Sequence, residues 1–273
     1  MINDKNIKAF IAYLEKRRCT EATVNTYRIV LTSFIKVDLK AFFETSDDAP
    51  ATLHKKKAVV DSFYAFLKRK GKAVSTPLGD IVLPRIPQSL AKAVPEDKIN
   101  RIIRSIPTVD FPGVRDKALF ELGYAIAARR SDLRSAMVHD LDMNSCTLIV
   151  TGKGNKEMLK PFGRCAHTAL KRYLPLRNDR ARTDALFISD RGKQLALESI
   201  NYIVRKYTDI PPHVLFRHSC ATHLLNAGMR IEDVSEILGH SSIQTTQRYA
   251  KVAYKRLKSV YDNVHPRAGQ EVT

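Results

Sequence analysis

Pro211-Pro212-His213-Val214-Leu215-Phe216-Arg217-His218-Ser219-Cys220-Ala221-Thr222-His223-Leu224-Leu225 gathers more reactive side chains than any other stretch of the chain. Apolar residues recur through it at helical spacing, and a helix is expected over 215–227. Three histidines fall within eleven residues, yet neither an HExxH motif nor a Cys/His pairing accompanies them. That spacing argues against zinc, and no metal is expected. His218 and His223 read instead as packed or capping side chains. A second block follows, Ile237-Leu238-Gly239-His240-Ser241-Ser242-Ile243-Gln244-Thr245-Thr246-Gln247-Arg248-Tyr249, with His240 nine residues before Tyr249 and 23 after Arg217.

Upstream, Arg129-Arg130-Ser131-Asp132-Leu133 follows an apolar helix expected over 114–127. An arginine at a helix end beside Asp132 suits bidentate phosphate binding. Thr147-Leu148-Ile149-Val150-Thr151 reads as a strand. Gly152-Lys153-Gly154-Asn155-Lys156 reads as a turn, and 157–162 pairs back as a hairpin. The glycines around Lys153 permit close approach of a ligand to the backbone. The GxxxxGK[ST] spacing of a P-loop is absent. Leu186-Phe187-Ile188 is a further strand candidate. Helices are expected over 96–106, 196–207, 231–238, 242–249 and 251–263. Residues 1–72 read as helical, over 3–17, from Thr20 to Phe34, briefly at Phe42-Phe43, and over 51–69. Prolines 77, 84, 87 and 95 break the stretch that follows. The expected fold is mainly α, with a small antiparallel sheet in the C-terminal domain. The expected division is 1–72, a helical domain, 73–94, a linker, and 95–273, a second domain.

The 273 residues carry 46 lysines and arginines against 28 aspartates and glutamates, a formal net charge of +18. Residues 1–90 contribute +7 and the remainder +11. Two separately basic halves point to a long polyanion, nucleic acid above all, rather than to a membrane surface, which calls for one basic amphipathic helix or a polybasic tail. No run approaches the roughly 18 apolar residues of a transmembrane helix. The start, Met1-Ile2-Asn3-Asp4-Lys5, lacks the basic and apolar pattern of a signal peptide, so a cytoplasmic location is expected. Cys19, Cys146, Cys165 and Cys220 are scattered and expected to be reduced thiols. Lys55, Lys56, Lys57 and Arg69 form a basic face on the last helix of the first domain.

Taken together, these blocks resemble the tyrosine recombinases, the phage integrase family, whose pattern is Arg…Lys…His-x-x-Arg…His…Tyr. The arginine box spans Ala125 to Leu133, the hairpin lysine is Lys153, and the Leu-Gly-His block ends in Tyr249. The resemblance covers 115–268, and the tail His265-Pro266-Arg267-Ala268 is similar to Xer-type members. It implies a core-binding domain over 1–72 and a catalytic domain over 95–273 ending in a protomer-linking helix. It implies a nucleophile, Tyr249, an arginine clamp, Arg129 and Arg217, a proton donor, Lys153, and two histidines, His213 and His240. No cofactor is implied. The implied partners are double-stranded DNA and further copies of the chain, as a tetramer on DNA with a related recombinase or accessory proteins. In such a protein Lys55, Lys56, Lys57 and Arg69 would contact DNA phosphates. Two departures stand out. Ala127 replaces the glycine usual two residues before the first arginine. His213 lies four residues before Arg217 rather than three, as if Phe216 were inserted, and a one-residue bulge or a shifted helix start would restore it. The rival readings are a type IB topoisomerase-like enzyme and a non-catalytic DNA-binding protein of the same fold.

Overall fold

The structure, a computed structural model, describes residues 2–72, 76–86, 93–152 and 157–239. The chain forms two compact units, Met1–Ser89 and Leu90–Thr273.

The first unit is helical: α1 (Asp4–Lys16), α2 (Glu21–Ser33), α3 (Leu39–Thr45) and α4 (Pro50–Arg69). Short polar side chains start three of them. Asn3 accepts from the Asn6 N–H at 2.9 Å, Thr20 from Thr23, and Asp38 from Lys40 and Ala41. Proline begins α4, where its missing N–H costs nothing. Ile7, Phe10, Ile11 and Leu14 line one face of α1 and pack with Leu31, Val60, Phe63 and Leu67. Phe10 meets Phe63 edge-on, centroids 5.4 Å apart. Part of the stretch expected as linker packs on this unit. Leu78 is fully buried there, Thr76 Oγ1 donates to Asp61 at 2.8 Å, and the His54 ring meets the Pro84 carbonyl.

The second unit is built round α6 (Phe111–Ala125), which buries Val114, Ala118, Leu119, Phe120 and Leu122 and packs on α8 (Arg164–Asn178). Preceding it is α5 (Glu96–Ser105), and following it α7 (Arg130–Ser135). The sheet is β1 (Leu141–Asp142), β2 (Thr147–Thr151) and β3 (Glu157–Pro161), antiparallel in that order, with Ile149 opposite Leu159. Then come α9 (Leu197–Tyr207), a π-helix (His213–His218), α10 (Ser219–Asn226) and α11 (Ile231–Leu238). This is the expected fold class: mainly helical, with a small antiparallel sheet.

Several elements differ from the sequence reading, α7 and β1 among them, which it lacked. Leu186-Phe187-Ile188 forms no strand, only isolated bridges, one just before it at Ala185 and one at Ile188 itself. Two backbone bonds, Leu186 N–H to the Ala136 carbonyl and Leu195 N–H to that of Phe187, are supplemented by side chains. Tyr173 Oη donates to the Leu186 carbonyl and accepts from the Ile188 N–H, Arg177 donates to the Ala185 carbonyl, and Arg115 to that of Ile188. Helix α8, absent from the reading, has strong polar content that masks its one buried stripe, Ala166, Leu170, Tyr173 and Arg177. The helix expected over 215–227 begins two residues earlier, as the π-helix. The helices expected over 242–249 and 251–263 lie outside the described residues. Among those residues no helix is long and apolar enough to cross a membrane.

Candidate active site

Helix α6 ends in a tight reversal. The Ala127 N–H donates to the Tyr124 carbonyl and the Ala128 N–H to that of Gly123, a Schellman closure with Ala127 at φ +50°. Glycine is the residue that normally occupies this left-handed position, so Ala127 holds its turn at a cost of about 1 kcal/mol. The reversal aims Arg129 out of the core, half-buried, at the threshold of α7. Asp132, 2 % exposed, accepts the Arg129 backbone N–H at 2.9 Å, which pins the start of that helix.

Arg217 approaches the same corner from the π-helix. It is buried, and its guanidinium donates to the carbonyls of Ala127, at 3.2 Å through Nη1, and Leu238, through Nη2. One planar fork thus ties the arginine turn to the end of α11. There Gly239 adopts φ +61°, a conformation that favours glycine, and a Cβ would lie 2.1 Å from the Met158 sulfur of β3, so that flexible side chain would have to move aside.

The extra residue before Arg217 is absorbed by the π-helix. Its wider turn takes one residue more than an α-turn, so a four-residue separation does what three does in an α-helix. His213 is exposed at its start, while Val214 packs at the core edge. Phe216 is fully buried, edge-on to Phe120 at 5.5 Å, and its ring covers Gly123, where a Cβ would lie 3.2 Å from it. Ser219 closes the turn, donating to the Val214 carbonyl and accepting from the Val94 N–H, both within 3 Å.

One charged residue escaped the sequence reading. Lys160 of β3 is 1 % exposed, donates to the Ile126 carbonyl at 3.1 Å and lies 3.7 Å from Asp132 Oδ2. Burial pulls its pKa down to about 8, opposed by Asp132 and reinforced by Arg217 and Arg129. Nearby, His223 and Tyr124 share a hydrogen bond of 2.7 Å. Burial lowers the histidine's pKa and raises the tyrosine's, so both stay neutral at pH 7. The Cys220 thiol is pushed up to about 11 by burial. His218 is buried, in keeping with a packed side chain.

Of the six residues expected at the site, Arg129, His213 and Arg217 are described, and the two arginines share the Ala127–Asp132 turn. Lys153, His240 and Tyr249 lie outside the described residues. Of the basic residues expected to meet DNA, Lys56 pairs with Asp48 at 2.7 Å and sits over Phe42, and Lys57 pairs with Asp61. Lys55 is exposed, and so is Arg69, whose guanidinium lies over the Tyr13 ring. The four cysteines are free thiols. Among the described residues no group of three or more His, Cys, Asp or Glu side chains could hold a metal ion.

Residues 92–256 match the phage integrase family. The chain is 35 % identical to the tyrosine recombinase XerC of Myxococcus xanthus over 82 % of its own length and 79 % of the relative's. It is 32 % identical to the tyrosine recombinase XerD of Listeria innocua, covering 97 % of this chain and 91 % of that one. Its fold is similar to that of the XerH site-specific recombinase bound to a palindromic difH substrate in a post-cleavage complex. The TM-score is 0.71, with 21 % identity over 92 % of this chain and 84 % of that one.

Proposed function

The chain belongs to the phage integrase family and is a tyrosine site-specific recombinase; on that premise we propose that Tyr249 is its nucleophile and that Arg129 and Arg217 hold the phosphate it attacks. The observation that carries this reading is the anchored guanidinium of Arg217. It is buried, fixed by two backbone carbonyls and set against the turn that presents Arg129. A phosphate between two arginines meets positive charge in place before the reaction begins, which stabilises the charge that develops on its non-bridging oxygens.

In the proposed reaction the Tyr249 oxygen attacks the scissile phosphorus and the bond to the 5′-oxygen breaks, leaving a 3′-phosphotyrosyl link. Lys153 protonates the departing 5′-oxygen. His240 donates to the phosphate, and His213 assists proton transfer at the tyrosine. The π-helix supports that role, since it sets His213 and Arg217 one wide turn apart. The covalent link retains the energy of the broken phosphodiester. The 5′-hydroxyl of a partner strand can therefore reverse the step with no nucleotide cofactor, and exchange proceeds through a Holliday junction.

The partners follow from the same chemistry. Residues 1–72 and 95–273 would grip duplex DNA as core-binding and catalytic domains joined by 73–94, with exposed Lys55 and Arg69 available for phosphates and Lys56 and Lys57 already paired. Strand exchange needs four protomers on two sites, with a related recombinase or accessory proteins as further partners, and the segment 254–264 would dock on a neighbouring protomer. The test is a suicide substrate nicked beside the cleavage position. Wild-type protein should form a covalent adduct that Tyr249→Phe lacks. An adduct that survives the substitution would dismiss Tyr249 as nucleophile. No adduct on DNA that the protein binds would favour a non-catalytic DNA-binding protein. Relaxation of supercoiled plasmid without a recombination site would favour a type IB topoisomerase-like activity.

A further inference from the structure

We propose that Lys160 is a positioning residue for strand cleavage: its buried ammonium, between β3 and the α6–α7 corner, holds the turn that aligns Arg129 and Arg217 on one phosphate. The inference rests on the recombinase reading above.

The turn has two ends, and Lys160 reaches both. At one end its Nζ donates to the Ile126 carbonyl at 3.1 Å. The next carbonyl along the chain, that of Ala127, receives Arg217. At the other end Nζ lies 3.7 Å from Asp132 Oδ2, the same oxygen that accepts the Arg129 N–H at 2.9 Å. A single cation therefore fixes the acceptor beside the one that seats the second arginine, and the carboxylate that caps the first. Ala127 gives the turn a reason to need such support, because a residue with a Cβ is held there at φ +50°. With nothing beneath it, that turn has an incentive to relax.

Lys160 does not touch substrate in this arrangement. It is 1 % exposed and its visible contacts are to a carbonyl and a carboxylate of the turn. It acts through the two arginines, by holding their backbone frame. The charged and titratable groups facing it come from every element around it: Asp132 from α7, Arg129 from the turn, Arg217 from the π-helix and Cys220 from α10. Asp132 favours its ammonium form, the two guanidiniums and burial disfavour it, and its proton is held only up to about pH 8. The clamp is therefore charged at neutral pH and neutral in mild alkali. Loss of the proton removes the attraction to Asp132 and weakens the grip on the Ile126 carbonyl.

The experiment is single-turnover cleavage of the nicked suicide substrate by the full chain from pH 6.5 to 9.5, with DNA binding measured alongside. Wild-type cleavage should fall above about pH 8. Lys160→Met, similar in length and without charge, should cleave at least 10-fold more slowly at pH 7 while binding DNA with unchanged affinity. Lys160→Arg, charged throughout this range, should restore most of the rate and keep it above pH 8. A merely structural lysine would not yield an arginine variant that outlasts wild type in alkali. Equal cleavage by Lys160→Met and wild type, or coincident alkaline limbs in wild type and Lys160→Arg, overturns the proposal. Should the bulkier arginine prevent folding, Asp132→Asn answers the same question. Without its counter-charge the buried ammonium releases its proton earlier, and the alkaline limb should move to lower pH; an unmoved limb overturns the proposal. If wild-type protein forms no adduct at any pH, the recombinase reading fails and this inference with it, an outcome distinct from an active Lys160→Met.

Discussion

Lys160 carries its charge out of water beside two guanidiniums, and burial first, then those guanidiniums, disfavour that form. The effect on stability has a definite sign. In the unfolded chain a lysine keeps its proton to about pH 10.5, in the folded one to about 8. Between those values the unfolded state binds more protons, so stability rises with pH through that window. Denaturation of wild-type protein at pH 8 and at pH 10.5 should show the rise, of up to about 3 kcal/mol from this residue, and Lys160→Met should lack that share. Equal slopes in the two proteins would show that the ammonium is not buried. At this residue fold and function pull apart, because the pH that relieves the fold weakens the proposed clamp. Sequence alone did not single out Lys160. In Glu157-Met158-Leu159-Lys160-Pro161 the alternation runs against polarity, with Lys160 inward and Leu159 exposed to 66 %. Nothing short of the pairing of β3 with β2, and of both with the arginine turn, tells which face is buried.

At the scale of an element, the π-helix explains why His213 stands one residue further from Arg217 than the family pattern has it. An inserted residue in an α-helix rotates everything beyond it by more than a quarter turn, and Arg217 would leave the corner it shares with Ala127. A single wide turn confines the disturbance to 213–218, and α10 continues undisturbed. The inserted side chain is put to use. Phe216 fills the space over Gly123 and meets Phe120 edge-on. Phe216→Ala should cost about 3–5 kcal/mol by urea denaturation, since the ring is fully buried. A loss under about 1 kcal/mol would mean that the ring is not packed in this core. The sequence made the insertion legible as a broken spacing. It did not reveal whether a bulge or a shifted helix start resolves it, because that depends on what Phe216 finds to pack against. The failed strand at 186–188 has a similar cause. Its apolar residues suit a strand, but the buried hydroxyl of Tyr173 and the guanidiniums of Arg177 and Arg115 satisfy its backbone from the side.

At the scale of the whole molecule, charge and division into units matter most. Both units are basic, and each has its own core. Phosphate contacts supply affinity and register rather than base recognition. Assembly is a separate requirement, and the proposed docking of 254–264 on a neighbouring protomer assigns it to the C-terminal segment. Deleting 251–273 should leave binding to a single site intact while abolishing strand exchange, measured by gel shift and by recombination of two plasmid-borne sites. Recombination undiminished by the deletion would show that the segment does not link protomers.

The sequence by itself determined the class of chemistry. Fixed spacings among Arg129, Lys153, Arg217, His240 and Tyr249 are properties of the chain, and so are its net charge and the helical periodicity of residues 1–72. Only the tertiary structure decided how the arginines are held. The seating of Arg217 on the Ala127 carbonyl, the packing of Phe216 over Gly123, the close approach of Met158 to Gly239 and the cation beneath Asp132 each join residues from distant parts of the chain. Such contacts follow from which faces meet in a packed core, and local periodicity carries no record of that.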